Sequence, residues 1–392
     1  NPVPYVEYLQ DKGTIDRVLG SADLSIKLIE GLTLKVSVGA DLSSALREVY
    51  EPKQTNTGYN ANGIASQQNR RNQSLSNENV LTYLKKTGIH SINAMVGTSA
   101  LSIESKSSSM TARNFISDAY GYNNLDAGAQ WDKPSTGRDK NTLLSGFGRI
   151  NYVLKDRYLF TVTGRADGSS KFGTNNKWAF FPSASVAWVA SQEGFMKDFE
   201  MINNLKLRAG YGLAGNQDAI SSYNSLSLMS PNGTTTVNGL PVVTMGVTRN
   251  YNPDLKWEVK KTFNAGFDLG MFNDRLTMTF DYYISKTTDL LYNYDVKVPP
   301  FAYPTLLANL GSMRNSGIEL AIGGTPLKTK DMELTINANV AFQKNKLLSL
   351  NGTYMGQEMT AKKYMNLGGM NGAGFIGGYN QIIYQMVGKP VG

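Results

Sequence analysis

Long runs of strict two-residue alternation dominate this sequence. Leu205, Leu207, Ala209, Tyr211 and Leu213 alternate with Lys206, Arg208, Gly210 and Gly212. Leu276, Met278, Phe280, Tyr282 and Ile284 alternate with Thr277, Thr279, Asp281, Tyr283 and Ser285. Leu334, Ile336, Ala338, Val340 and Phe342 do the same against Glu333, Thr335, Asn337, Asn339 and Ala341. Successive side chains of a strand face opposite sides, so each stretch makes one apolar face and one polar or small face. Similar stretches near 22–30, 32–41, 78–87, 90–104, 141–154, 157–167, 178–190, 257–270 and 314–323 bring the total to about twelve strands. Most run to about ten residues or more. That is the length of a tilted bilayer crossing, about 9–11, rather than of a soluble sandwich strand, about 5–6.

The connections alternate as well. Short turns fall at Glu30-Gly31, Thr87-Gly88, Lys155-Asp156-Arg157, Asn273-Asp274 and 326–330, with a brief helical turn within 191–203 on the same side. Polar, Gly- and Asn-rich loops near 42–77, 105–140, 215–256, 287–312 and 344–392 occupy the other side, with a shorter one at 168–177. Short periplasmic turns and long extracellular loops mark an up-and-down membrane barrel. The expected fold is therefore all-β: a transmembrane antiparallel up-and-down β-barrel segment, one partial domain over 1–392. Twelve strands laid flat leave two unpaired edges that hydrocarbon does not tolerate, so further strands are expected to close the wall.

Composition removes most other classes. Among 392 residues only 18% are charged, against about 25% in average soluble chains. There is no Cys and one His, which excludes disulfides, thiol catalysis and multi-His metal centres and leaves little for a Ser-His-Asp enzyme. A net charge of +8 is spread without a basic cluster, so nucleic acid is not an expected partner. No catalytic residue, metal or cofactor is expected. His90 follows a short turn, and Gly146-Phe147-Gly148 lacks the third glycine and helix of a dinucleotide loop. Gly368-Gly369-Met370-Asn371-Gly372-Ala373-Gly374 with Gly377-Gly378 reads as a loop rather than a phosphate cradle.

Alternation also assigns faces. Lys206, Arg208, Asp268, Asp281 and Glu333 are expected toward the lumen, because Lys or Arg facing midplane lipid costs about 2–4 kcal/mol. Tyr158, Phe160, Phe180, Phe181, Trp188, Trp257, Phe267, Tyr282 and Tyr283 lie near strand ends or crossings and are candidates for the interfacial aromatic girdle.

Specific motifs then stand out. Tyr158 to Gly173 reads YLFTVTGRADGSSKFG, followed by KWAFFPSASVAW over 177–188, EGFMK over 193–197, LKLRAGYG over 205–212 and GNQ over 215–217. Further on come NPDLKWE over 252–258, DYY over 281–283 with Thr287, and NLGSMRNSGIEL over 309–320. In order and spacing these blocks resemble the SusC/RagA family of TonB-dependent outer-membrane transporters of Bacteroidota. The opening Asn1-Pro2 and the closing VGKPVG over 387–392 are similar to the family too.

The resemblance implies a 22-stranded barrel with an N-terminal plug, of which this chain supplies barrel wall only. It implies active import driven through TonB by way of the plug region, and a SusD-like surface lipoprotein as lid. Arg165, Asp167, Gly168, Ser169, Ser170, Trp178, Pro182, Trp188, Arg208, Gly215, Asn216, Gln217, Asn252, Pro253, Trp257, Asn315 and Gly317 are the motif positions. Their chemistry reads as structural. Asp and Ser bond nearby backbone, Asn-Pro starts a turn, and Arg165 with Asp167 forms a pair bracing the wall.

Binding is expected in the loops, where a rigid wall displays variable segments. The candidates for substrate or lid contact are Tyr120, Tyr122, Trp131, Tyr223, Tyr251, Tyr292, Tyr294, Phe301 and Tyr303. Such aromatics stack on sugar faces or hold peptide side chains. The expected function is import of an oligomeric nutrient, glycan or peptide, in the bacterial outer membrane, with a homodimer of barrels as one arrangement. A passive porin or channel is the alternative, and a barrel-type outer-membrane enzyme a weaker one.

Overall fold

The computed structural model describes residues 3–360, 364–371 and 379–390. In chain order the strands are β1 (Gln10–Ile29), β2 (Leu32–Glu51), β3 (Ile64–Thr87), β4 (His90–Phe115), β5 (Gly128–Trp131) and β6 (Ser135–Leu154). Then follow β7 (Tyr158–Ser169), β8 (Trp178–Val189), β9 (Ile202–Asn216), β10 (Leu228–Val237), β11 (Leu240–Arg249) and β12 (Glu258–Met271). Last come β13 (Leu276–Asp295), β14 (Thr305–Lys328), β15 (Glu333–Ser349), β16 (Asn351–Tyr354), β17 (Gln357–Thr360), β18 (Tyr364–Asn371) and β19 (Tyr379–Met386). A 13-stranded sheet runs in the order β1-β2-β3-β4-β6-β7-β8-β9-β12-β13-β14-β15, with β5 added to β4. Its twelve-strand path matches the twelve alternating stretches of the sequence, each paired with its neighbour in sequence order as an up-and-down wall requires.

Strand length departs from expectation. β1, β2, β6 and β13 have 20 residues, β3 and β14 have 24, and β4 has 26. At about 3.3 Å per residue a 24-residue strand is about 80 Å long, roughly twice what a tilted bilayer crossing takes. The ranges 42–77 and 105–140, expected as loops, are therefore largely strand. Their remaining connections are the helix Asn56–Ala61 and the 3-10 turns Asp118–Asn123 and Leu125–Ala127. Polar residues on both faces erase the alternation there, while the backbone ladder continues through them. Within 215–256 and beyond 344, hairpins β10-β11, β16-β17 and β18-β19 also replace open loop. Gly372, Gly374, Gly377 and Gly378, and residues 1–2 and 391–392, lie outside the described residues.

The chain divides into two compact units. The first gathers 1–26, 34–80 and 98–144 around a core of Tyr50, Ala65, Ala112 and Phe115, against which Tyr122, Leu125 and Ala127 pack. The second gathers 27–33, 81–97 and 145–392.

Register in the second unit shows the two faces directly. Leu207 pairs with Phe267, Phe267 with Phe280, Phe280 with Leu320 and Leu320 with Val340. One row on, Ala209, Ala265, Tyr282, Ile318 and Phe342 are paired in turn, and Leu205, Leu269, Met278, Ile322 and Ala338 form the row before. Directly paired residues share a face, so these rows make one apolar band. None of these residues is buried, and Phe342 is 69% exposed, as a lipid-facing surface requires.

The opposite face carries Arg208, Gly266, Asp281 and Glu319 in one row and Lys206, Asp268, Thr279 and Ala321 in the next. Here Arg208 grips Asp281 through two bonds of 2.6 and 2.7 Å and lies 3.4 Å from Asp268. The lumenal placing of Lys206, Arg208, Asp268 and Asp281 agrees with the alternation.

Three girdle candidates do not take that place. Tyr283 shares the polar face, paired between Asn264 and Gly317, because it follows Tyr282 and must point the other way. Phe181 is 6% exposed, whereas its neighbour Phe180 is 62% exposed. Trp257 is 5% exposed and packs on Phe172 and Phe181 at centroid distances of 4.6 and 5.6 Å, so it is a core residue and not an interfacial one. Trp178, at 60% exposure, does suit an interface.

Candidate functional site: a scaffold under the loops

Where the strands of the second unit run into loops, the motif residues form one hydrogen-bonded scaffold. Its first part joins the segment after β7 to the segment before β12. Gly173 N–H donates to Leu255 O (3.0 Å), Asn175 Nδ2 to Asp254 Oδ1 (3.0 Å), Asn176 Nδ2 to Asp254 O (3.1 Å) and Trp257 Nε1 to Lys177 O (3.2 Å). Gly173 has to be glycine, since a Cβ there would overlap the Pro253 carbonyl. Trp257, Phe172, Phe181 and Leu255 close this joint with apolar contact.

Its second part uses asparagine amides to grip main chain. Asn250 donates through Nδ2 to Tyr303 O (2.6 Å) and Thr305 O (2.8 Å), while its Oδ1 accepts from the N–H groups of Ala302 and Tyr303. Asn252 donates to Leu307 O (2.6 Å) and accepts from Asp254 N–H (3.0 Å) and Tyr354 OH (2.9 Å). Asn309 accepts from Lys256 N–H and donates to Lys256 O and Asp289 O, beside a Lys256–Asp289 ion pair of 2.7 Å. Buried Glu258 receives Asn216 Nδ2 (3.0 Å) and Leu291 N–H (2.9 Å). Asn216 Oδ1 accepts from Asp218 N–H, and Lys171 Nζ reaches Gln217 O at 3.4 Å. An amide with both a donor and an acceptor can bridge two strangers' backbones, which accounts for asparagine at these places.

The other motif positions lie along the wall. Arg165 Nε bonds both Asp167 carboxylate oxygens (2.8 and 2.9 Å), its Nη2 bonds Ser145 Oγ (2.8 Å), and the guanidinium lies over the Phe147 ring. Ser169 Oγ accepts from Lys171 N–H, while Gly168 lies under the Trp178 ring. Pro182 is exposed opposite Gly164. Asn315 pairs with Ser285, and Gly317 leaves room for Tyr283. Lys260, Tyr283, Ser285, Asn315 and Gln343 line a polar cavity of about 690 Å³ on the inner face. On the short-turn side Glu193 accepts from Tyr158 OH (2.6 Å), Trp188 Nε1 (3.2 Å) and Arg157 (2.9 Å). The Tyr158 bond, then that of Trp188, holds the Glu193 carboxyl below its usual range.

The loop aromatics separate into packed and open ones. Tyr294 is 1% exposed, donates to Leu350 O (2.9 Å) and packs with Leu306, Ala308 and Met359; burial pushes its phenol up to about 12. It is a core residue, in correction of the expected contact role. Tyr292 and Phe301 pack against the same cluster, and Tyr122 against the core of the first unit. Tyr303 is fixed through its backbone by Asn250, and Tyr223 is half-buried. Tyr120, Trp131 and Tyr251 remain open to solvent. His90 bonds Tyr152 OH through Nδ1 (2.7 Å).

A wall with an outward apolar band, a polar inner face and buttressed loops on one side defines an outer-membrane β-barrel. Residues 4–389 match the family model described as TonB dependent receptor-like, beta-barrel, and the chain belongs to that family. It is 32% identical over 355 residues to the TonB-dependent receptor P3 of Formosa agariphila, covering 89% of this chain and 35% of that one. It is 31% identical over 366 residues to the TonB-dependent receptor SusC of Bacteroides thetaiotaomicron, covering 90% of this chain and 35% of SusC. The chain thus spans about a third of the length of these curated relatives. In fold it resembles the RagAB peptide transporter, with a TM-score of 0.83 and 24% identity over 98% of this chain and 40% of that one.

Proposed function

We propose that the whole protein to which this wall belongs imports an oligomeric nutrient, glycan or peptide, across the outer membrane in a TonB-dependent way. In this reading residues 1–392 are part of the barrel domain, with the loop side outside the cell and no bond chemistry of their own. A SusD-like lipoprotein lids the loops, and TonB acts through a plug region that the resemblance places elsewhere in the protein. Pairing of two barrels belongs to the same reading. The observation that carries it is the scaffold of Asn250, Asn252 and Asn309, which fixes loops from four strand ends on one rigid wall. Transport by a wide barrel needs such a mouth to receive a large solute. The relatives named TonB-dependent receptor and SusC, and the likeness to a peptide transporter, support it.

The test is uptake of labelled oligosaccharides and oligopeptides by cells lacking the gene and complemented with the full-length protein, with and without TonB. Uptake restored only when TonB is present is the expected result. Uptake that persists without TonB makes the protein a passive channel. Co-purification of a stoichiometric surface lipoprotein checks the lid.

A further inference from the structure

On the lipid-facing side of β12 to β15, Lys261 pairs with Lys286, Lys286 with Arg314 and Arg314 with Lys346. Four cations therefore stand side by side on one face, across four adjacent strands about 4.8 Å apart. Lys344, paired with Ser316 in the neighbouring row, is a fifth on that face. Like charges directly opposite one another destabilise a sheet, and no ion pair among the described residues relieves them. The outward positions of β12 from Val259 to Met271, of β13 from Leu276 to Thr288, of β14 from Ser312 to Gly324 and of β15 from Ile336 to Lys346 include no Asp or Glu. The carboxylates closest in sequence are engaged elsewhere, Glu258 with Asn216 and Leu291 N–H and Asp289 with Lys256. None of the four cations has an ion-pair partner among the described residues.

Their height is as telling as their charge. All five lie at the loop end of the apolar band, and no cation interrupts the rows between them and the short turns. From Met271 to Lys261 is ten residues, about 33 Å along the strand at about 3.3 Å each. A strand tilt of about 35–45° reduces this to about 25 Å, the height of a barrel's apolar band. The row thus meets the boundary between hydrocarbon and headgroups on the loop side.

We infer that this row binds the phosphate groups of an anionic lipid of the outer leaflet, so that the barrel carries a specific phospho-glycolipid on its outer wall. Phosphate matches the site because it accepts charge-assisted bonds from several donors at once, Arg314 included. Continuity with the apolar band selects a lipid over a soluble anion, since the acyl chains of a bound headgroup would cover that band. The inference rests on the outward assignment of this face and not on which nutrient is imported.

The full-length protein is purified in a neutral detergent and its lipid retention measured by native mass spectrometry. Retention is compared after equilibration with phosphatidylcholine vesicles containing either bis-phosphorylated or dephosphorylated lipid A. The parent protein is expected to hold the phosphorylated lipid, and inorganic phosphate is expected not to displace it. The variant carrying Lys261→Gln, Lys286→Gln, Arg314→Gln and Lys346→Gln is expected to bind it at least about tenfold more weakly. Losing the same charge through Lys85→Gln, Lys155→Gln, Lys297→Gln and Lys330→Gln should change nothing. Lys286→Glu gives a second readout. It should raise the melting temperature of the lipid-free protein by relieving the row, yet lose the lipid. Equal retention by parent and quadruple variant, or displacement by inorganic phosphate, overturns the inference and leaves the import test untouched.

Discussion

Replacing Asn252 by alanine should open the loop scaffold without unfolding the wall. The buried amide holds three separate groups: Leu307 O, Asp254 N–H and Tyr354 OH. Each bond contributes about 1 kcal/mol net, and a buried partner left unpaired adds to the loss, so the local cost comes to about 3 kcal/mol. At about 1.4 kcal/mol per factor of ten, that is roughly a hundredfold rise in the population of locally open states. Amide hydrogen exchange resolves such openings by segment. Peptides covering 250–258 and 305–310 of the full-length protein should exchange about a hundredfold faster, while the paired centre of β9, β12 and β13 keeps its protection. Tyr354→Phe deletes one of the three bonds and should accelerate exchange only about fivefold, near 1 kcal/mol. Unchanged exchange in Asn252→Ala, or an effect of Tyr354→Phe equal to it, would refute the assignment of this amide as the joint.

Leu207→Arg should lower barrel stability by about 2–4 kcal/mol in a urea titration from liposomes, whereas Lys206→Arg one position away should be nearly neutral, because the two residues face lipid and lumen. Gly173→Ala should cost about 2 kcal/mol and loosen the same exchange-resolved segment around 253–257, since its Cβ would displace the Pro253 carbonyl. The lowered Glu193 carboxyl makes its turn acid-sensitive. A depressed pKa contributes stability that is fully present above the carboxyl's ordinary value and is lost as pH falls through the lower folded value. Fluorescence of Trp188 should therefore change on acidification below about pH 4.5, and Glu193→Gln should abolish that transition.

The strands were legible because lipid on one side and water on the other impose a period of two. The same rule placed Arg208, Asp268 and Asp281 on one face, where the structure joins them. Tyr282 and Tyr283 are adjacent and cannot share a face, and only Tyr282 lies on the apolar side. Above the bilayer the rule lapses, since both faces of β3 and β4 are wet there and the ladder carries no apolar period. Trp257 shows a further limit. Its position before a strand suggested an interface, yet its burial depends on Phe172 and Phe181, far off in sequence. Tyr294 likewise is covered by Leu306 and Met359. The cationic row could not be read at all before pairing was known, because its four members come from four strands. Asn252, ahead of Pro253, was recognisable as a turn former, but the grip of Asn250, Asn252 and Asn309 on carbonyls about fifty residues away was not.

Apart from the Tyr354 hydroxyl on Asn252, the amides of Asn250, Asn252 and Asn309 take hold of backbone atoms in the segments they secure. A clamp of that kind is indifferent to what the clamped residues are. Side chains at the loop tips can then be exchanged for others without loosening their moorings, so one wall can acquire new solute preferences by small sequence steps while its mechanical frame stays the same.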